Sequence, residues 1–517
     1  MVRVAIAQGI TNIVGSLQSC NTVFRLVALF GAVASAVQPV KVQGSDFVNS
    51  VTNARFQIIG VAYEPYGRFA LRCRTNSFIS YQPGGSAGFN PGSDPLSNGT
   101  LCLRDAALMQ RLGVNTIRVY NLDPTINHDM CASIFNAVGV YMLIDVNSPL
   151  PNQSLNPGDL TGSYTSDYLN RIFQVVEAFK DYPNTLGFFG GNENMNSIAT
   201  GGPTPPYLRA VTRDLKNYIA KHSTRTIPIG YSAAHVREIL ADSWAYLSCD
   251  IQGSTSDMSR IDFFGLNSYS WCGGDATFQS SGYDVLVQQF SNNTIPVFFS
   301  EYGCNKVLPR VFDEVQALYG SQMTPVMSGG LVYEYAQEPS NNFGLVVLND
   351  NGTAEIRTDY DNLQKQFNKL DVKSLESSNS SATMVKSPNC TSGLIASSSF
   401  NNSFTLPSIP PNGQKLIDNG ISKPNNGKLV SVTQTQVPEA VYASNGTPIQ
   451  ALAISPLPND QSNTPNGQDT SGSATSSSSP SGTTTTPTPT KKSAAGRNAS
   501  SVYGLVGVVA VLSFILS

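Results

Sequence analysis

Between about residues 50 and 370 the chain alternates short apolar runs with longer stretches of helical periodicity. The apolar runs are continuously hydrophobic, a pattern typical of parallel strands that are buried on both faces. The eight strand candidates are FQIIGVAY (56–63), TIRVY (116–120), VYMLID (140–145), LGFFGG (186–191), IPIGYS (227–232), IDFFGLN (261–267), IPVFFSE (295–301) and GLVYEY (330–335).

Helical patterns lie between these strands, the clearest at 103–113, 167–183 and 207–223. Eight strands with intervening helices predict an α/β fold of the (β/α)8 TIM-barrel type. A doubly wound open sheet is the alternative, but no glycine-rich phosphate loop follows any of the strand candidates. We therefore expect a barrel whose strands all end at one face.

The pattern changes at both ends of the chain. The run LVALFGAVASA at 26–36 predicts a secretory signal peptide within an N-terminal extension at 1–36, with a buried helix as the alternative. The predicted catalytic domain covers 50–390, and a short accessory region with a few strands, within 427–455, follows at 391–459. Residues 460–501 are rich in Ser, Thr and Pro, which predicts a disordered, O-glycosylated stalk.

The last segment, 502–517, is apolar to its final residue and too short to span a bilayer comfortably. Small residues precede it between Ser493 and Asn498, so the segment is interpreted as a GPI-anchor signal, with a tail-anchored helix as the alternative. These signals together predict a secreted protein attached to the outer face of the plasma membrane, the cell wall, or both.

Composition narrows the possible functions. The formal net charge is −3, and the chain has no extended Lys/Arg block, which argues against nucleic-acid binding. With only three histidines, a histidine-based metal site is not expected, and we predict no metal and no cofactor. The eight cysteines of a secreted chain are candidates for disulfides.

Two of the apolar strands are followed by, or end on, a glutamate. Glu193 follows LGFFGGN, and Glu301 closes IPVFFSE. A capping or salt-bridging role explains either residue alone, but two such ends in one barrel indicate a pair of catalytic carboxylates. Such a pair suits glycoside chemistry, in which one carboxyl group donates a proton to the leaving oxygen and the other attacks the anomeric carbon.

Other side chains at strand ends are predicted to bind substrate. Asn192 precedes Glu193, and its amide can reach a sugar hydroxyl beside the attacked carbon. Arg118 and Tyr120 in RVYNLDP and Tyr269 in LNSYSWC are expected to donate to the nucleophile or the sugar. The residues Tyr333, Tyr335 and Trp271 offer aromatic faces for sugar rings, with core packing as the alternative for each.

The motifs RVYNLDP, GFFGGNENMN, LNSYSWCG, PVFFSEYGCN and SGGLVYEY resemble the fungal cell-wall β-1,3-glucanosyltransferases of glycoside hydrolase family 72. The resemblance runs from about Phe56 to Cys390, with one interruption. It implies a retaining enzyme in which Glu193 is the acid/base and Glu301 the nucleophile. Such enzymes cleave β-1,3-glucan internally and join the new end to another β-1,3-glucan chain.

The resemblance also implies disulfides. The implied pairs are Cys102–Cys131, Cys249–Cys390 and Cys272–Cys304, which leaves Cys20 and Cys73 over. Cys73 lies in 64–80, an atypical insertion that interrupts GVAY and QPGG. A Tyr stands on both sides of it, and we expect Tyr63 and Gln82 to belong to the substrate-binding set.

Two other functions remain open from the sequence. A retaining endo-β-1,3-glucanase would use the same two carboxylates but transfer the glucan only to water. A non-catalytic GPI-anchored wall glycoprotein would need neither carboxylate, and the presence of Glu193, Glu301 and Asn192 argues against it.

Overall fold

The computed structural model describes residues 37–64, 91–92, 94–251, 257–339, 341–377 and 385–466. The predicted signal peptide, all of the 64–80 insertion except Glu64, and Gln82 lie outside these ranges. The stalk after residue 466, the GPI signal, Cys20 and Cys73 also lie outside them. Within the described ranges, no helix combines the length and the apolar character that crossing a membrane requires.

Eight parallel strands close into a barrel, which confirms the predicted fold and excludes the open sheet. The barrel strands are β4 (Ile58–Tyr63), β5 (Thr116–Val119), β6 (Tyr141–Asp145), β7 (Thr185–Asn192), β8 (Ile229–Ala234), β9 (Phe263–Asn267), β10 (Val297–Tyr302) and β11 (Gly329–Val332). They follow chain order around the barrel, and β11 pairs with β4 to close it.

Helices surround the barrel and connect its strands. They are α1 (Gly99–Leu112), α2 (Asp129–Ala137), α3 (Leu160–Ser163), α4 (Ser166–Phe179), α5 (Ile198–Gly201), α6 (Pro205–His222), α7 (Arg237–Ser248), α8 (Tyr283–Gln289), α9 (Glu314–Leu318), α10 (Thr358–Phe367), α11 (Val372–Leu375) and α12 (Gly413–Asn419). Local sequence sets their limits. For example, the Asn98 side chain caps the start of α1, and Gly113 ends it with a φ of 86°.

Aromatic side chains fill the amino-terminal half of the barrel. Phe189, Phe263 and Phe298 pack edge to face or tilted, with ring centroids 5.2 to 6.2 Å apart. Phe47 closes this cluster from below, on a small sheet of β1 (Val40–Gln43), β2 (Asp46–Asn49) and β3 (Arg55–Phe56). A Cβ at Gly230 would lie 2.1 Å from Phe263, so only glycine leaves room for that ring. The packed lower half leaves the carboxyl-terminal ends of the strands for polar chemistry.

The accessory region departs from the prediction. Strands were expected within 427–455, yet the structure has only β14 (Val441–Tyr442) there, beside β12 (Val346–Leu348) and β13 (Ala354–Ile356), and two isolated bridges, Gln436–Ala453 and Tyr442–Pro448. The rest is irregular because its backbone hydrogen-bonds to side chains on the barrel. For instance, the Lys428 and Val430 amides donate to Asp129 and Ser133 of α2.

Candidate active site

Glu193 and Glu301 lie at the carboxyl-terminal end of the barrel, three strands apart in the sheet. Glu193 directly follows β7, and Glu301 is the fifth residue of β10. Strands β8 and β9 lie between them. Both carboxylates therefore belong to the face where barrel enzymes place their catalytic groups.

Three donors hold the Glu301 carboxylate. Tyr120 Oη donates to Oε1 at 2.9 Å, and Arg118 Nη1 donates to the same oxygen at 3.2 Å. Tyr269 Oη donates to Oε2 at 2.6 Å. The side chain is 9 % exposed. Each of these donors was named from the sequence, and the structure brings all three to one carboxylate.

The electrostatics of Glu301 combine opposing effects. Burial raises the pKa of Glu301 above its ordinary value, and nearby Glu193 raises it further. The Arg118 charge and the hydrogen bonds from Tyr269 and Tyr120 lower the pKa and so oppose that rise. The donors therefore stabilise the ionised form of Glu301, whereas burial favours its protonated form.

Arg118 is the most heavily used donor of the site. Its Nε and Nη2 form a bidentate pair with Asp145 at 2.8 and 3.0 Å. Its Nη1 also donates to Ser232 Oγ at 3.1 Å, and Nη2 donates to Asn192 Oδ1 at 3.0 Å. The guanidinium lies 4.3 Å from the centroid of the Tyr120 ring. This fully buried side chain therefore fixes the nucleophile candidate and Asn192 together.

Glu193 has a different environment. The residue is only half-buried, and its Oε1 accepts a hydrogen bond from Asn267 Nδ2 at 2.9 Å. Its backbone has a φ of 51°, a left-handed conformation that is uncommon for a residue other than glycine. The Glu193 amide still pairs with the Ser232 carbonyl of β8 at 2.8 Å. This turn ends the strand and leaves the carboxylate accessible from the cleft.

Asn192 joins the same network through its carbonyl oxygen. Oδ1 accepts from Arg118 Nη2 and from Asn267 Nδ2, the latter at 3.2 Å. Among the described residues, no hydrogen bond uses the Asn192 amide nitrogen. The amide NH2 is therefore oriented to donate to a ligand, as the sequence predicts for a sugar hydroxyl.

Four residues of the network were missed from the sequence: Asp145, Ser232, Asn267 and Ser300. All are buried. Asp145 and Asn267 each close a barrel strand, β6 and β9, and this is the same signal that identified Glu301. The two serines lie within strands, and their sequence context carries no comparable signal.

Aromatic side chains line one side of the site. The Tyr269 ring meets Phe343 at 5.5 Å and Tyr333 at 6.3 Å between centroids, and Tyr333 also meets Phe343 at 5.3 Å. Tyr333 is half-buried, so one part of the ring is available to a ligand. Trp271 packs on Tyr283 with centroids 5.3 Å apart.

Tyr63 is not part of this arrangement. Its side chain is fully buried, and its hydroxyl donates to Asp105 of α1 at 2.9 Å. Tyr335 donates to the other oxygen of Asp105, also at 2.9 Å, and its ring lies 5.5 Å from that of Tyr63. The structure thus places both tyrosines between barrel and helix, which speaks against their predicted contact with sugar. Gln82, the other residue of that prediction, lies outside the described residues.

A second group of carboxylates lies at the same face. Glu64 follows β4, whereas Glu334 and Glu338 follow β11, and their oxygens lie within 4.8 Å of one another. Burial raises the pKa of Glu64 well above its ordinary value, with Glu334 and Glu338 adding to the rise. Burial and Glu338 raise the pKa of Glu334 to about 8. Among the described residues this is the one group spaced to hold a metal ion.

Three disulfides have the pairing that the resemblance implies: Cys102–Cys131, Cys249–Cys390 and Cys272–Cys304. The last one joins the loop after Tyr269 to the loop after Glu301. It therefore ties together the two segments that carry the nucleophile candidate and one of its donors.

Comparison with known proteins places this geometry in a family. The model of the family described as Glucanosyltransferase matches residues 29–371. The chain belongs to this family. The match includes every residue of the hydrogen-bond network around Glu193 and Glu301.

Curated relatives match over most of the chain. The chain is 52 % identical over 493 residues to the 1,3-beta-glucanosyltransferase gel2 of Aspergillus fumigatus. The aligned region covers 95 % of this chain and 98 % of that protein. The chain is 37 % identical over 420 residues to the 1,3-beta-glucanosyltransferase GAS4 of Saccharomyces cerevisiae, covering 81 % and 83 %.

Solved structures of the family are similar as well. A structure of Saccharomyces cerevisiae Gas2p in complex with laminaripentaose superposes with a TM-score of 0.61 and 34 % sequence identity. The match covers 73 % of this chain and 78 % of that chain.

Proposed function

We propose that this chain is a retaining 1,3-beta-glucanosyltransferase that cleaves β-1,3-glucan internally and joins the new end to another β-1,3-glucan. Glu301 is the nucleophile and Glu193 the acid/base. The observation that carries the proposal is the unlike setting of two carboxylates at one barrel face. Glu301 is buried and held by three donors, whereas Glu193 is half-buried and accepts from one neutral amide.

In the first step, a Glu301 oxygen attacks the anomeric carbon as the bond to the departing glucan breaks. The proton on Glu193 passes to the departing glycosidic oxygen, and a covalent glycosyl-enzyme remains. Arg118, Tyr120 and Tyr269 hold the nucleophile ionised and aimed. The Asn192 amide donates to the hydroxyl beside the reacting carbon.

In the second step, Glu193 accepts the proton of an acceptor hydroxyl while that oxygen attacks the anomeric carbon. The bond to Glu301 breaks and its carboxylate is restored. Each step inverts the configuration at the anomeric carbon, so the product has the same β linkage as the donor. Transfer exceeds hydrolysis when a glucan hydroxyl reaches the glycosyl-enzyme before water does. The aromatic rings of Tyr269, Tyr333 and Phe343 favour the glucan, because they offer faces on which its sugar rings can stack.

The comparisons support this function over that of an unrelated β-glycanase. Relatives that match most of the chain carry the name 1,3-beta-glucanosyltransferase, and a similar enzyme has been solved with laminaripentaose. The proposed donor and acceptor are accordingly β-1,3-glucan chains.

We also propose that the protein is secreted and carries a GPI anchor, with residues 1–36 and 502–517 as its two processing signals and 460–501 as its stalk. The proposed catalytic domain is 50–390, with 391–459 as an accessory region. Three disulfides support the extracellular part of this proposal, since such bonds persist in oxidising compartments.

The decisive experiment incubates the purified ectodomain with reduced β-1,3-glucan oligosaccharides and measures the size of the products. Products longer than the substrate are expected. Products that are only shorter would identify an endo-glucanase, and an unchanged substrate would contradict both enzymatic functions. A second donor linked only through β-1,4 bonds serves as the control for linkage and should remain intact.

A further inference from the structure

Asn267 contacts both Glu193, which protonates the leaving oxygen in the proposed mechanism, and Asn192, which binds the sugar at the reacting carbon. Its Nδ2 donates to Glu193 Oε1 at 2.9 Å and to Asn192 Oδ1 at 3.2 Å. We propose that Asn267 is a positioning residue that selects which Glu193 oxygen carries the catalytic proton and which face of Asn192 meets the sugar. The inference rests on the proposed function, because it concerns how Glu193 works.

The orientation of the Asn267 amide is set by two hydroxyl groups behind it. Ser300 Oγ donates to Asn267 Oδ1 at 2.8 Å, and Ser232 Oγ lies 3.0 Å from the same oxygen. Ser232 Oγ in turn accepts from Arg118 Nη1. With its oxygen engaged on this side, the amide must turn its NH2 toward Glu193. The opposite orientation would place oxygen against a carboxylate oxygen.

The backbone around Asn267 fixes the position of this side chain. It is the last residue of β9, pairing with Ala234 of β8 and with Glu301 of β10. The side chain is buried, at 3 % exposure. Close packing extends behind it, where a Cβ at Gly265 would lie 2.5 Å from Ser300 Oγ. The backbone of Gly265 therefore limits the movement of Ser300, the serine that orients the Asn267 amide.

This contact has a chemical consequence for Glu193. An oxygen that accepts an N–H hydrogen bond is the poorer place for the catalytic proton. Oε1 is engaged with Asn267, so the proton lies on Oε2, the oxygen left to face the glycosidic bond. The same donor stabilises the carboxylate form that the second step requires, when Glu193 takes a proton from the acceptor hydroxyl.

The effect on Asn192 follows from the same amide. Asn267 and Arg118 together occupy the Asn192 oxygen, which turns the Asn192 NH2 toward the cleft. Without Asn267, that amide loses one of its two restraints. One side chain thus sets the orientation of both the acid/base Glu193 and the sugar contact Asn192.

The test compares Asn267→Ala and Asn267→Asp with Ser268→Ala in the full ectodomain. Both Asn267 variants remove the donor. We expect kcat to fall about tenfold to hundredfold, the cost of one buried hydrogen bond to a charged group, with KM changing less than about threefold. The loss should appear in kcat rather than in KM, because Asn267 orients Glu193 and Asn192 and does not itself hold the glucan.

Ser268 is the matched control. It is equally buried, follows Asn267 directly, and its hydroxyl contacts His235 and Ser270 rather than either carboxylate. Ser268→Ala should retain the wild-type kcat and KM. If the Asn267 variants lose activity only in proportion to the folded fraction, with kcat per folded molecule unchanged, Asn267 is merely structural and the inference is overturned.

A second readout separates this inference from the proposed function. Carbon-13 NMR of labelled glutamate observes the Glu193 carboxyl without substrate. At one fixed pH its chemical shift should change in Asn267→Ala, which removes the donor at Oε1, and remain unchanged in Ser268→Ala. An unchanged chemical shift in Asn267→Ala contradicts the inference whether or not the wild-type ectodomain elongates glucan. Failure of glucan elongation in the wild type, by contrast, contradicts the proposed function alone.

Discussion

Two groups of carboxylates lie at the same face of the barrel, and they differ in the donors around them. Glu301 accepts from an arginine and two tyrosines, and Glu193 accepts from an asparagine. In the second group, neither oxygen of Glu64 has a hydrogen-bond partner within the described part of the chain, and Tyr333 and Asn341 lower the pKa of Glu334 only in part against the rise from burial and Glu338. The donors favour the charged form of Glu301, whereas burial and mutual repulsion favour protons, or a cation, on Glu64 and Glu334.

The contrast shows that burial alone does not make a carboxylate catalytic. Glu64 and Glu334 are at least as buried as Glu301, with 1 %, 0 % and 9 % exposure respectively. What differs is the supply of N–H and O–H groups, which lowers the pKa of the buried Glu301 carboxylate against the rise caused by burial. Substitutions in each group can test this difference.

The largest effect is expected at the catalytic pair. Glu301→Ala and Glu193→Ala should each reduce glucan turnover by about 10³-fold or more, because each removes a group that makes or breaks a bond. With an activated aryl glycoside, azide should restore turnover to both variants. The glycosyl azide should have the β configuration for Glu193→Ala and the α configuration for Glu301→Ala.

If Glu193→Ala gave the α azide and Glu301→Ala the β azide, Glu193 would be the nucleophile and Glu301 the acid/base. Circular dichroism and thermal unfolding provide the control for folding. Crystals of the wild-type protein should place the two carboxyl groups about 5–5.5 Å apart, the spacing of retaining enzymes. A separation of about 9 Å would contradict the retaining mechanism.

The next largest effect concerns the support of Glu301. Asp145→Asn removes one charge of a buried bidentate pair and leaves Arg118 with weaker restraint. We expect unfolding free energy to fall by about 3 kcal/mol and kcat to fall about tenfold or more. Chemical denaturation and steady-state kinetics measure the two losses.

Asp46→Asn is the matched control for that variant. Asp46 also pairs with a buried arginine, Arg55, at 2.9 Å, but at the opposite end of the barrel. It should destabilise the protein while the folded fraction retains its kcat. An equal loss of kcat in both variants would show that Asp145 acts only through stability.

The second group of carboxylates should give a pH-dependent effect. The pKa of Glu334, about 8, exceeds its unfolded value of 4.5, so the folded state binds more protons between these limits. This contribution to stability is fully present below about pH 4.5 and is lost as the pH rises through about 8. Glu64→Gln and Glu334→Gln should reduce that loss and raise unfolding free energy at pH 8 by about 1–2 kcal/mol.

Thermal unfolding from pH 4 to 9 in EDTA measures this dependence. Glu177→Gln is the comparison, because Glu177 is equally buried but accepts hydrogen bonds from Tyr218 and Asn426 and pairs with Lys180. That change should destabilise the protein. If added divalent cations strongly stabilise the wild type but not Glu64→Gln, the group is a metal site instead.

The smallest effect is expected for Tyr63→Phe, and Tyr269→Phe is its comparison. Tyr63→Phe removes a hydroxyl that donates to Asp105, and should cost about 1 kcal/mol of stability with unchanged kinetics. Tyr269→Phe removes the hydroxyl on Glu301 and should reduce kcat by about tenfold or more. A kinetic defect in Tyr63→Phe that exceeds its loss of folded protein would restore the predicted sugar contact.

The sequence by itself determined the barrel and the two carboxylates. Continuous apolar runs indicate strands buried on both faces, and a polar residue at the end of such a run marks the face of the barrel where polar side chains gather. That signal identified Glu193 and Glu301, and it also holds for Asp145 and Asn267, which were missed because strand ends carry many polar residues without catalytic roles.

Only the tertiary structure decided which polar groups meet. Ser232 and Ser300 contribute because β8 and β10 pair with β9 on either side of Asn267, a relation that no local pattern encodes. The sequence predicted a sugar contact for Tyr63, but the side chain lies between the barrel and α1. Side chains of β4 alternate between the inside and the outside of the barrel, and the Tyr63 ring lies on the outside, against α1. Which residues of a strand face outward depends on how the strand tilts in the closed sheet. Periodicity along the chain identifies strands, whereas the partners of a side chain depend on contacts between residues far apart in sequence.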